Sequence, residues 1–89
     1  MISQTTSKFW ECFERLPPEI QEAAPKAYQQ WQKDPYHNSL KFKHVHPTLP
    51  IYSVRVALGW RAVGLKEENC MILFWIGSHA DYDKLISQL

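Results

Sequence analysis

The segment Trp75 to Leu85, WIGSHADYDKL, places a serine, a histidine, two aspartates and a tyrosine directly after an apolar run. Ser78 precedes Asp81 by three residues, a spacing typical of a capping box at a helix start, so capping explains both residues. His79 has no such explanation. At the first helical position it faces the positive end of the helix dipole, which favours the neutral imidazole that a general base requires. The free N–H groups of the same helix start are suited to bind a phosphate oxygen.

Four basic side chains form a second candidate group: Lys41, Lys43, Arg55 and Arg61. They alternate with apolar residues, so helices packed on one face of a sheet would leave all four cations on the other, uncovered face. There they would lie close enough together to contact several backbone phosphates. A solvated sheet face without a ligand explains the same pattern. Trp60 is suited either to stacking on a base or to packing, whereas Trp75 is predicted to be a core residue.

Metal and cofactor sites are not predicted. The sequence contains no GxGxxG, phosphate-binding loop, HExxH or GxSxG pattern. His37, His44 and His46 lie close together in the sequence but lack the paired spacing of a zinc site, so exposed loop and strand-end histidines are the favoured interpretation.

Two helices are predicted in the N-terminal third. Apolar residues at helical spacing, Phe9, Cys12, Phe13 and Leu16, predict a helix over about residues 5–16, with a possible N-cap in the cluster Thr5 to Ser7. A second helix is predicted from Pro18 to about Lys33. Pro25 falls inside it and predicts a kink or a break near residues 21–25.

The period then changes from helix to strand. Strands are predicted at Leu40 to Lys43, Tyr52 to Ala57, Trp60 to Lys66 and Cys70 to Ile76. Their short links predict an antiparallel meander, and the last strand, apolar on both faces, is expected inside the sheet. A helical stripe of Tyr82, Leu85, Ile86 and Leu89 follows. The predicted fold is α+β, with two N-terminal helices packed on one face of a small antiparallel sheet and a short C-terminal helix.

Length and composition set the class of protein. The 89 residues predict a single domain, 1–89, and 45% hydrophobic residues exclude a disordered chain. Two cysteines and the lack of an apolar leader predict a cytoplasmic protein, and no run approaches the roughly 20 apolar residues of a membrane span. A net charge of +1 does not indicate a globally basic nucleic-acid binder, yet residues 41–66 carry five cations and no acid.

Three segments together resemble a known family. YSVRVALGWRAVGL, the hydrophobic strand after it and WIGSHADYDKL resemble the C-terminal half of the RelE/ParE toxin superfamily. The ending is most similar to HigB-type toxins, whose last strand leads into a GTHAEYDKI-like segment. Upstream, LPPEIQEAAPKAYQQWQKDPYHNSLKFK resembles the helical hairpin and first meander strand of the same superfamily. The likeness covers about residues 6–89. The family fold usually opens with a strand, for which only MISQT is available, so that strand is expected to be very short or missing.

The resemblance implies the toxin of a type II toxin–antitoxin system. Its HigB-like and RelE-like members are endoribonucleases that cut messenger RNA, usually on the ribosome, without a metal or cofactor. The implied partner is a cognate antitoxin, expected to be a helix-turn-helix protein. ParE-like members instead inhibit DNA gyrase without nuclease chemistry, so a non-enzymatic toxin that binds a protein target stays open as the alternative, as does an inactive relic.

The resemblance also implies residue roles. His79 matches the histidine of the terminal motif and would be the catalytic base or acid, while Arg55 and Arg61 would hold the scissile phosphate. Lys41 and Lys43 would bind neighbouring phosphates. Tyr82 matches a family position that contacts RNA, although its place in the helical stripe favours packing. Asp81 and Asp83 match too; capping accounts for Asp81, and no physical role is assigned to Asp83.

Overall fold

The computed structural model of the protein describes all residues from Met1 to Leu89. Five strands and three α-helices follow one another in the order β1 (Ile2–Thr5), α1 (Ser7–Glu14), α2 (Pro18–Lys33), β2 (Lys43–His44), β3 (Ile51–Ala57), β4 (Trp60–Glu67), β5 (Cys70–Ser78) and α3 (His79–Gln88). A single 3₁₀ turn, Asn38–Leu40, precedes β2. No helix is long and apolar enough to cross a membrane. The predicted α+β class is confirmed.

The sheet has the strand order β1-β5-β4-β3-β2. Three of its four strand pairs are antiparallel, as predicted, but β1 pairs in parallel with β5, so the sheet is mixed. The opening strand is therefore present, with four residues. A segment this short shows no alternation that sequence analysis could use. β5 lies between β1 and β4, which confirms that the strand apolar on both faces is internal.

The helical hairpin begins and ends close to its predicted limits. Thr6 caps α1, because its side-chain oxygen accepts a hydrogen bond from the backbone N–H of Phe9. α2 starts at Pro18 and ends at Lys33, and it continues without a break through Pro25, so the predicted break is wrong. Pro25 lies on the exposed side of α2, while Ile20 and Trp31 are buried against the sheet. Burial of that apolar face stabilises the helix despite the lost hydrogen bond.

Helices cover both faces of the sheet. α1 and α2 pack on one face, where Phe9, Leu16 and Ile20 meet Ala62 and Ile76. α3 packs on the other face, where Tyr82 joins a cluster with Ile51 and Val63, flanked by Leu85 and Ile86. The expectation of an uncovered face is therefore wrong. The apolar side chains of α3, which were predicted from their helical spacing, cover part of that face.

The first predicted meander strand is also different. Only Lys43 and His44 form β2, whereas Leu40 belongs to the 3₁₀ turn and Lys41 adopts a left-handed conformation with φ 48°. Leu40 and Phe42 are buried as the alternation required, at 2% and 7% exposure. A turn can bury alternate side chains as a strand does, so alternation alone did not separate the two.

Gly64 provides a test of how closely β4 and β5 approach. It lies where the register of the two strands shifts, and a Cβ at this position would lie 2.6 Å from the carbonyl oxygen of Ile72. Because that neighbour is backbone, Gly64→Ala is expected to lower the free energy of unfolding by about 1–3 kcal/mol, the usual cost of overpacking. Urea denaturation measures it. Gly59→Ala is the comparison variant: no atom lies within 4 Å of its Cβ position, so its own loss of stability reports only the strain of an alanine at φ 81°. An unchanged midpoint for Gly64→Ala would contradict the described approach of the strands.

Candidate active site

Ser78 caps the N-terminus of α3. Ser78 accepts a hydrogen bond from the backbone N–H of Asp81 at 3.2 Å, which confirms the predicted N-cap. The backbone N–H of His79 donates to the carbonyl of Gly59 in the β3–β4 turn at 2.7 Å. The side chain of Asp81 makes no reciprocal bond, so the capping box is only half formed. Because two N–H groups already have partners, the helix start offers less to a phosphate than the sequence suggested.

His79 is the first residue of α3, and its side chain is 48% exposed. Its Nδ1 lies 3.3 Å from Oδ2 of Asp83, one turn further along the helix. Its ring meets the ring of Tyr82 edge to face, with the centroids 5.5 Å apart. Nε2 makes no hydrogen bond within the protein. The imidazole is thus held on one side and open to a ligand on the other.

Tyr82 is part of the packing under this histidine. It is 8% exposed, and its hydroxyl donates to the Ser53 side chain in β3 at 3.4 Å. Its predicted contact with RNA does not fit this burial. Its buried ring instead packs against the ring of His79, in agreement with the packing role that the helical stripe favoured.

The two arginines face each other across neighbouring strands. Arg55 of β3 is the register partner of Arg61 of β4, and Arg61 is in turn the partner of Gly77, two residues before His79. Like charges directly opposite on a sheet destabilise it, and no carboxylate forms an ion pair with either arginine. Cross-strand partners lie roughly 4.5–5.5 Å apart. The backbone therefore places Arg61 next to the start of α3 and Arg55 one strand further away.

The side chains of these arginines take different directions. Arg61 donates from Nη1 to the carbonyl of Trp60 at 3.1 Å. Arg55 donates from Nε to the carbonyl of Ser39 at 2.9 Å and lines a groove of about 450 Å³ together with Lys26 of α2. Neither arginine forms a hydrogen bond with His79. Of the two, Arg61 has the strand position nearer to His79, because it pairs with Gly77 in β5.

The remaining predicted RNA contacts are scattered. Lys43, in register with Ser53, is exposed on β2, and Lys41 is exposed in the turn before it. Trp60 packs against the cluster formed by Phe9 and its neighbours, on the face opposite Arg61, so it does not fit a role in stacking on RNA beside that arginine.

Trp75 is partly buried in the α3 cluster, close to its predicted core position. Its ring covers Gly77, where a Cβ would lie 2.7 Å from Cζ2 of the indole. The side of Arg61 that faces β5 is therefore bordered by a glycine and an indole.

Asp83 had no predicted role, although it lies one helical turn after His79. The signal was present, because residues four apart on a helix are neighbours and His79 and Asp83 have this spacing. No three histidine, cysteine, aspartate or glutamate side chains lie together as a metal site would require, and Cys12 and Cys70 are free thiols.

Comparison with solved structures identifies the class of fold. A chain of the RelB–RelE antitoxin–toxin complex from Methanococcus jannaschii superposes with a TM-score of 0.73 at 11% identity, covering 92% of this chain and 96% of that one. A chain of the toxin–antitoxin complex RelBE2 from Mycobacterium tuberculosis gives 0.68 at 15% identity, with coverage of 86% and 95%. The YoeB/ParE toxin from Agrobacterium tumefaciens gives 0.65 at 15% identity, with coverage of 89% and 99%. The fold is that of the RelE/ParE toxins.

The family follows from the sequence. A model of the ParE-like toxin domain matches residues 18–84, and the chain belongs to that family. A sequence comparison with curated proteins finds no relative.

Proposed function

We propose that this protein is the toxin of a type II toxin–antitoxin system and that it is a metal-independent endoribonuclease of the HigB/RelE type, cutting messenger RNA on the ribosome. The observation that carries the proposal is the imidazole of His79: exposed, held through Nδ1, open at Nε2, and next to the strand position of Arg61. A toxin that acts only by binding requires no such arrangement.

The groups suit cleavage by the ribose 2′-hydroxyl. His79 Nε2 takes the proton of the 2′-hydroxyl, whose oxygen attacks the adjacent phosphorus. The bond from phosphorus to the 5′ oxygen breaks, and this oxygen takes a proton from water. The products are a 2′,3′-cyclic phosphate and a 5′-hydroxyl end. Arg61 offsets the negative charge that grows on the phosphate oxygens. Arg55 contacts the RNA at the groove that Arg55 and Lys26 line.

The proposed partners are an antitoxin, the messenger RNA and the ribosome, all met in the cytoplasm. Two of the structural relatives are chains of antitoxin–toxin complexes, which supports an antitoxin for this chain as well. Lys41 and Lys43, both exposed near the end of the sheet, are proposed to bind phosphates next to the cut.

RNA end mapping tests the proposal. Ends are mapped after induction of the wild type and of His79→Ala in cells, and after addition of each purified protein to translating ribosomes. The wild type is expected to produce new 5′-hydroxyl ends that His79→Ala does not produce.

The alternative is a non-enzymatic toxin that binds a protein target such as DNA gyrase, which the match to the ParE-like domain favours. Growth arrest by the wild type without RNA cleavage in either setting would overturn the nuclease and favour this alternative. Retention of arrest in His79→Ala would agree with it, since binding to gyrase has no use for a general base.

A further inference from the structure

We propose that Asp83 is a positioning residue for His79, which fixes the imidazole proton on Nδ1 and so leaves the lone pair of Nε2 directed at the substrate. This inference rests on the proposed function, in which His79 Nε2 is the base. Asp83 touches no substrate in this scheme and acts through the histidine alone.

Two contacts of the imidazole support this positioning role of Asp83. Oδ2 of Asp83 lies 3.3 Å from Nδ1 of His79, and neither side chain lies at ion-pair distance from any other residue. The other contact of the imidazole is the ring of Tyr82, which is itself buried and bonded to Ser53. These two contacts hold the ring with Nδ1 towards Asp83, and Nε2 is the nitrogen without a partner in the protein.

The carboxylate of Asp83 and the imidazole of His79 together decide which ring nitrogen carries the proton. An ionised carboxylate only accepts hydrogen bonds, so a neutral imidazole that forms a hydrogen bond with Asp83 must donate it from Nδ1, the nitrogen that lies 3.3 Å away. The bond made by one ring nitrogen decides the state of the other, and Nε2 is left unprotonated. This is the state that a base must have before it accepts the proton of a 2′-hydroxyl. A free histidine in water favours the opposite arrangement, with the proton on Nε2.

The test is direct observation of the tautomer by ¹⁵N NMR of the histidine side chains in the full-length protein, at a pH where His79 is neutral. In the wild type, His79 is expected to carry its proton on Nδ1. In Asp83→Ala the proton is expected to move to Nε2 in most molecules. Asp81 lies in the same helix turn, but its carboxylate does not contact the imidazole. In Asp81→Ala the tautomer of His79 is therefore expected to match the wild type. Asp83→Glu is expected to restore the Nδ1 proton at least in part.

Cleavage kinetics supply the second readout. Asp83→Ala is expected to lower kcat about two- to fivefold, the range expected when an exposed charge pair is removed. KM is expected to stay within about twofold, since Asp83 binds no RNA, and Asp83→Glu is expected to recover part of kcat.

Two outcomes would overturn the inference. An Nε2 proton on His79 in the wild type is one, and a tautomer that Asp83→Ala leaves unchanged is the other. A purely structural role predicts the second result together with lower thermal stability. Absence of cleavage by the wild type would instead overturn the proposed function, and the NMR measurement would still decide whether Asp83 fixes the imidazole.

Discussion

Replacing His79 with alanine is expected to lower the rate of RNA cleavage by about 10²–10⁴-fold, the contribution typical of a positioned general base. The loss is expected in kcat, because His79 takes its proton in the transition state and contributes little to binding of the substrate. Single-turnover cleavage of a messenger RNA on purified ribosomes, with the protein in excess, measures the chemical step without product release.

Stability is expected to change little in the same variant. The side chain of His79 is 48% exposed and its one polar contact, with Asp83, lies at the surface, so its removal is expected to shift the free energy of unfolding by less than about 0.5 kcal/mol. His44→Ala is the matched control, an exposed histidine on β2 whose contacts are with Leu49 and Tyr52. It is expected to cleave at the wild-type rate. Equal losses in both variants would contradict a specific role for His79.

Replacing Arg61 with alanine is expected to lower cleavage by about 10²-fold or more, the effect of removing one electrostatic contact to the transition state. The same substitution is expected to change the free energy of unfolding by less than about 0.5 kcal/mol, because the side chains of Arg61 and its register partner Arg55 point apart. Activity would therefore fall without a comparable change in stability. Single-turnover cleavage and urea denaturation of the same preparation measure both.

Two further variants separate charge from geometry at this position. Arg61→Lys keeps the charge but loses the fork of donors that matches a phosphate, so a partial loss is expected. Arg55→Ala is expected to lower the rate of cleavage less than Arg61→Ala does, because Nε of Arg55 is bonded to Ser39 and its side chain lines the groove beside α2. A larger loss for Arg55 than for Arg61 would contradict the assignment of Arg61 to the scissile phosphate.

Much of the fold could be predicted because the apolar spacing is regular. The start of α2 and the cap at Ser78 follow from local signals, Pro18 and the spacing of Ser78 and Asp81, and the internal position of β5 follows from its apolar run. β1 was left open because four residues at a sheet edge carry no pattern of their own. The continuity of α2 through Pro25 depends on burial against the sheet, which local propensity does not include.

The site was predictable in its residue types and less so in its geometry. His79 at the first position of α3 followed from the cap at Ser78. The register that sets Arg61 opposite both Arg55 and Gly77 depends on long-range pairing, including a shift between Arg55 and Ala57 that no local signal marks. The role of Trp60 stayed open between stacking on a base and packing, and only the packed structure places it against the helical hairpin.

One measurement tests the central claim most directly: cleavage by the wild-type protein of a messenger RNA that carries a single 2′-deoxynucleotide immediately 5′ of the scissile phosphate. The account predicts no cut at that position, with cutting retained at unmodified sites in the same molecule, because His79 has no 2′-hydroxyl to deprotonate there. Cleavage at the deoxy position at the unmodified rate would contradict the account, since the attacking oxygen would then not be the ribose hydroxyl.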